Sequence, residues 1–143
     1  MGQRRRAREY ALQLLFQIDL TGSSPGEVFR EFWINQETST EVRSFSERLV
    51  NGVFARRVQL DRLIAGAAEH WRIERMAVVD RNVLRMAVYE MLHDPEIPDA
   101  VVIDEAIEVA KKYGSEESGS FINGILDSIR RRAPDPPAPP AGG

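Results

Sequence analysis

The sequence contains no cysteine. That excludes a disulfide framework, a thiolate metal site and a cysteine nucleophile, and it fits a reducing cytosol. No apolar run approaches the roughly 20 residues needed to span a bilayer. The basic N-terminus is not followed by the uninterrupted apolar core of a signal peptide. No GxxxxGK[ST] or GxGxxG loop is present to cradle phosphates, and no GxSxG or HExxH motif is present for hydrolysis. The two histidines, His70 and His93, stand 23 residues apart without metal-ligand spacing to other side chains. His93 falls at the end of a helical segment, where a contact with the helix dipole accounts for it. No segment shows strand alternation at strand length. These absences leave no support for an enzyme, a metal site or a bound cofactor.

What is present is a lopsided charge distribution. Net charge is −3, yet Arg4, Arg5, Arg6 and Arg8 fall within five residues at the start. Residues 94–117 carry eight Asp/Glu against two Lys. A mildly acidic chain with a basic end can still attract phosphates locally.

Helical periodicity runs through most of the remainder. From about Arg4 to Leu20, Ala7, Tyr10, Ala11, Leu14, Leu15 and Ile18 share one face. Phe16 projects roughly opposite, beside Leu12, Arg5 and Glu9, as an aromatic available to stack unpaired bases. The alternative is a helix buried on two sides, with Phe16 in a second layer. Gly22, Ser24 and Pro25 supply a C-cap, an N-cap and a first helical position. A short helix to about Asn35 follows, and Thr38-Ser39-Thr40 supplies the cap of a third. Gly52 and Arg56-Arg57 bend or split that third pattern.

Residues 70–76 read as a connector. The segment from about Ala77 to Leu92 is apolar over most of its circumference and should be central. It carries Glu90, whose buried carboxylate requires a partner, a structural salt bridge or cap rather than a catalytic acid. After the turn at Asp94–Pro98, Asp99 caps a two-faced helix with a Glu108–Lys112 pair on its polar side. Gly114 ends it. Ser115 caps a last helix with Glu116 and Glu117 in its first turn and Phe121, Ile122, Ile125, Leu126 and Ile129 on its apolar face. Gly124 suggests a close helix–helix approach. The residues after 133 hold five prolines and read as a disordered or polyproline-like tail, 134–143, with a PxxP ligand role as the lesser alternative.

The expectation is an all-α domain over 1–133. It has about seven helices in two sub-bundles, 1–72 and 76–133, sharing one core.

Four blocks in this order resemble the NusB family of transcription antitermination factors. They are Arg-Arg-x-Arg-Glu-x-Ala-x-Gln-x-Leu-Phe from Arg5 to Phe16, the run Val79 to Met91, the run Pro98 to Lys111, and Phe121-Ile-Asn-Gly-Ile-Leu-Asp127. The resemblance implies an all-helical fold of two bundled halves in a cytoplasmic protein. It also implies binding of boxA leader RNA together with NusE, a small-subunit ribosomal protein. That complex joins other Nus factors on RNA polymerase and suppresses premature termination, notably in ribosomal RNA operons. Some relatives form homodimers that bury the RNA surface. By position, the resemblance assigns RNA contacts to Arg4, Arg5, Arg6, Arg8, Phe16, Glu117 and Phe121, and the NusE contact to Asp80 and Arg81. A related helical domain stands at the N-terminus of certain ribosomal RNA cytosine methyltransferases, but no Rossmann-like segment follows residue 133 here. A helical module binding only protein is the third reading. The acidic stretch 94–117 is expected to repel nonspecific RNA and to meet a basic partner.

Overall fold

The computed structural model describes residues 2–69 and 71–132; His70 and the proline-rich tail lie outside the described residues. Those residues form seven α-helices and two single 3₁₀ turns, with no strand among them. The helices are α1 (Gln3–Thr21), α2 (Pro25–Phe32), α3 (Thr40–Ala55), α4 (Arg57–Ala67), α5 (Val78–His93), α6 (Asp99–Tyr113) and α7 (Ser118–Arg132). The 3₁₀ turns are Trp33–Asn35 and Ile73–Arg75.

Local chemistry sets several boundaries. Gly22 closes α1 in the left-handed conformation (φ 72°), its N–H donating to Ile18 O; only glycine adopts that φ without steric cost. Ser24 and Glu27 form a reciprocal capping box at α2, with Pro25 at the first position. The Ser39 hydroxyl accepts from Val42 N–H at α3. Arg56 (φ −116°, ψ 20°) separates α3 from α4. Gly52 has a different role from the expected bend. A Cβ there would collide with the ring of Tyr89 on α5, so Gly52 is what lets α3 and α5 meet.

One hydrophobic cluster runs through the described helices, from Ala7, Leu14 and Leu15 on α1 through Leu84 on α5 to Ile122 and Leu126 on α7. An edge-to-face trio, Tyr10, Phe32 and Trp33, closes α2 over α1, with ring centroids 4.9–5.6 Å apart. The buried Ser46 hydroxyl of α3 donates to Ala7 O of α1 at 2.8 Å.

The α1–α5 contact is also polar, at two levels. Near one end, Arg8 donates to Glu90 through Nε (2.9 Å) and Nη2 (2.6 Å). Arg8 is 4% exposed and Glu90 1%. Near the other end, Asp19 accepts from Arg81 (3.2 Å), Asn82 (2.9 Å) and Arg85 (3.2 Å). Arg85 also forks onto Asp61 of α4 at 2.8 and 3.0 Å. Later α1 residues meet earlier α5 residues, so the two helices are antiparallel. Glu90 thus has the partner its position demands.

Five further expectations are corrected. Leu12, placed by the wheel away from the core, is 2% exposed, because α1 is packed against α3, α5 and α6 and not on one side only. Asp99 is the first residue of α6 without a side-chain cap bond. Lys112 turns from Glu108 to Glu9 of α1 at 2.9 Å, while Glu108 lies 3.7 Å from Lys111. Glu116 and Glu117 precede α7, which starts at Ser118, whose hydroxyl accepts from Ser115 N–H. Gly124 faces open space, and the glycine packed on α6 is Gly119, where an added Cβ would lie 3.5 Å from Ile107 Cγ2.

Removing one partner of a buried ion pair leaves an uncompensated charge. Arg8→Ala or Glu90→Ala should each cost about 3–5 kcal/mol in urea denaturation. The double replacement Arg8→Met/Glu90→Leu should recover most of that loss, and equal losses in single and double variants would contradict the pairing. Gly52→Ala should cost about 1–3 kcal/mol through overpacking against Tyr89, read by the same method.

Candidate nucleic-acid interface

The arginines at the start do not form an extended arm. They occupy the first two turns of α1, and the turn of the helix sends them to different environments. Arg8 points inward to Glu90. Burial alone would lower its pKa; the hydrogen bonds and charge of Glu90 outweigh that and raise it. Arg8 therefore departs from the surface role expected of it, because the α1 face it occupies is covered by α5.

Arg5 is half-buried and forks onto Glu105 of α6, Nε to Oε1 at 2.9 Å and Nη2 to Oε2 at 2.8 Å. The hydrogen bond from Arg5 holds the Glu105 carboxyl below the usual glutamate range, and the Arg5 and Arg8 charges add to it against partial burial. Arg4 and Arg6 are exposed. Each guanidinium lies over an aromatic ring, Arg4 over Phe45 (5.1 Å to the centroid) and Arg6 over Tyr10 (5.7 Å). Neither makes a salt bridge among the described residues. A hollow of about 470 Å³ beside Arg4 is lined by Gly2, Arg4, Arg5, Arg8, Ile97, Val101 and Glu105.

Further along α1, Glu9 takes Lys112 and the Tyr113 hydroxyl of α6. Arg5 and Glu9 thus form the seam between α1 and α6. Phe16 continues that edge of α1 beyond the ion pairs. It is half-buried and stands outside the hydrophobic cluster. Phe121, in the first turn of α7, is partly buried against the core and meets Trp71 edge-on at 5.7 Å. Glu117 is exposed in the turn before α7, its carbonyl accepting from Phe121 N–H at 3.0 Å. Asp80 and Arg81 sit elsewhere, at the start of α5 beside the end of α1. Arg81 is engaged by Asp19, and Asp80 Oδ1 is buried without a hydrogen-bond partner. The Asp19 carboxyl is itself held low: burial pushes it up, but the hydrogen bond from Asn82 and the charges of Arg85 and Arg81 prevail.

The structure therefore groups Arg4, Arg5 and Arg6, keeps Glu117 with Phe121, and sets Asp80 and Arg81 at the opposite end of α1. Two aromatic residues were not singled out from the sequence. Trp71, in the connector, is 57% exposed. Phe45 belongs to an ordinary core-like period but lies under arginines. A lone aromatic beside Arg72 was the only available signal for the first, and nothing local marked the second.

Comparison with known proteins decides the family. The NusB family model matches residues 5–131. The chain belongs to the NusB family. The transcription antitermination protein NusB of Sorangium cellulosum is 48% identical over 129 residues, covering 90% of this chain and 92% of the relative. That of Desulforapulum autotrophicum is 46% identical over 132 residues, covering 91% and 92%. Among solved structures, T. maritima NusB superposes with a TM-score of 0.80 at 36% identity, covering 92% of each chain. A chain in a complex of the antitermination factors NusB and NusE with double-stranded RNA superposes with a TM-score of 0.81 at 30% identity, covering 93% of this chain and 99% of that one. The NusB-type fold thus extends over nearly all the described residues.

The low pKa of Glu105 has a definite sign. A carboxylate depressed on folding contributes stability above its unfolded pKa and loses it as pH falls through the lower folded value. Arg5→Ala should return the Glu105 titration toward the ordinary glutamate range in carboxyl NMR and flatten the acid limb of the stability curve. An unmoved Glu105 titration would contradict the fork.

Proposed function

We propose that this chain is a transcription antitermination factor. It binds boxA RNA together with the ribosomal protein NusE, joins other Nus factors on RNA polymerase, and helps the enzyme read through terminators in ribosomal RNA operons. The reading is of a cytoplasmic adaptor that performs no catalysis and needs no cofactor. The observation that carries it is the near full-length likeness to the NusB chain of a NusB–NusE–RNA complex. No described helix is long and apolar enough to cross a membrane.

The chemistry on the surface agrees with this role. Arg4 and Arg6 offer guanidinium forks to phosphates and guanine edges. Arg5 contributes where RNA phosphate competes with Glu105 for its fork. Arg8 supports the surface from below. Phe16 and Phe121 offer ring faces to unpaired bases. Glu117, exposed beside Phe121, disfavours phosphate at that point and so sets the path of the strand. Asp80 and Arg81 lie at the proposed NusE-facing end of α1.

Fluorescence anisotropy of labelled boxA RNA against a scrambled RNA, with and without NusE, tests this reading. Tighter binding of boxA, strengthened by NusE, is expected. Affinity indifferent to both sequence and partner would overturn it. Phe16→Ala and Phe121→Ala should each weaken boxA binding by about 1–3 kcal/mol, the usual range for one stacked base. Unchanged affinity in both would remove the aromatic assignment while leaving the family role intact.

A further inference from the structure

Phe45 on α3 lies under three guanidinium groups. The centroid of its ring is 5.1 Å from Arg4 Cζ, 5.2 Å from Arg48 Cζ and 5.6 Å from Arg8 Cζ. Three like charges around one ring repel unless each is compensated. Arg8 is closed internally by Glu90. Arg48 reaches Asp94 through Nη1 at 3.1 Å and otherwise stays open, its side chain 52% exposed. Asp94 itself is buried, and its second oxygen has no hydrogen-bond partner. It therefore acts as a fixed anchor aiming Arg48, not as a mobile surface counter-ion. Arg4 has no carboxylate partner among the described residues.

Two open guanidiniums from different helices are thus held beside one aromatic ring. The ring face favours a cation over it, so both heads are ordered before any ligand arrives. Preordering removes part of the entropy cost that a flexible lysine or arginine meets on binding phosphate. The sequence gives no hint of this pairing, because Arg48 lies 44 residues after Arg4 in a helix otherwise read as core.

We propose that Arg4 and Arg48, positioned by Phe45, form a phosphate-binding site that carries the RNA backbone from the start of α1 onto α3. The site rests on the RNA-binding reading above and extends it to a helix to which no RNA contact had been assigned. Phosphate contacts fix position and register without reading sequence. Both arginines should therefore strengthen boxA and scrambled RNA alike, leaving discrimination to the base-stacking residues.

The test is the salt dependence of RNA anisotropy for the full chain and for Arg4→Gln, Arg48→Gln, Arg48→Lys, the Arg4/Arg48 double glutamine variant and Arg6→Gln. Each lost phosphate contact on a single strand lowers the slope of log affinity against log salt by about 0.7, or roughly fivefold in affinity at 0.1 M salt. Arg4→Gln and Arg48→Gln should each show that loss and the double variant about twice it, equally for boxA and scrambled RNA. Arg48→Lys keeps the charge and the Asp94 pair and should retain the slope. Arg48→Gln leaves Asp94 without its cation, so thermal melting accompanies it; if that variant unfolds, Arg48→Gln/Asp94→Asn, which strands no charge, replaces it, with the same loss of slope expected and a parent slope overturning the site. A parent slope in Arg4→Gln, or in a folded Arg48→Gln, overturns the site; if Arg6→Gln still lowers the slope, the RNA-binding reading survives. Failure of the parent chain to bind RNA overturns both. An equimolar arm with free tripolyphosphate separates a backbone site from a general anion site. Competition by tripolyphosphate as strong as by unlabelled RNA would overturn the backbone assignment.

Discussion

A carboxylate buried in the middle of a helical core has to find a cation, and Glu90 finds Arg8. The pair brings together the basic start of the chain and its most apolar helix. It fixes the rotation of α1, since only one rotation puts Arg8 against α5. With Arg8 turned inward, Arg4 and Arg6 are turned to solvent and Arg5 to the α6 seam. The second polar level, Asp19 with Arg81, Asn82 and Arg85, holds the same two helices at their other end. Buried ion pairs contribute little net stability compared with apolar packing. Their effect here is on orientation: a rotated α1 would strand two charged groups in the core.

Seen from that constraint, the run of four arginines divides into parts with different chemistry. One is structural, one is shared with an internal carboxylate, and two are open. A polyanion meeting this surface exchanges places with Glu105 at Arg5 but has no competitor at Arg4 or Arg6. The same burial that closes Arg8 onto Glu90 removes it from the ligand. Local charge density on the surface is consequently lower than the sequence suggests.

Most of the helical order was legible in the sequence. Gly22, the Ser24-Pro25 start and the Thr38-Ser39-Thr40 run are local signals with local outcomes, and the all-round apolar character of α5 marked it as central. Glu90's need for a partner was legible too; the identity of that partner was not. Periodicity gives the angle of a side chain about its own axis but not how many neighbours cover that helix. For α1 there are several, so Leu12 is buried although the wheel puts it away from the main stripe, and Arg8 is buried with it. Gly124 and Gly119 show the same limit. Both cost helix propensity, but only the position of α6 distinguishes the one in contact from the one in solvent. The Glu108–Lys112 spacing was favourable within its helix, yet Glu9 from another helix captured the lysine.

The division of the arginines can be measured in one titration. The variant Arg8→Met/Glu90→Leu removes the buried pair without stranding a charge, and its RNA affinity is followed across a salt series. A slope of log affinity against log salt equal to that of the parent chain is the expected result, since Arg8 offers nothing to phosphate. A slope lower by about 0.7, the value for one lost single-strand contact, would mean that Arg8 reaches the RNA and that the inward ion pair is not its resting place.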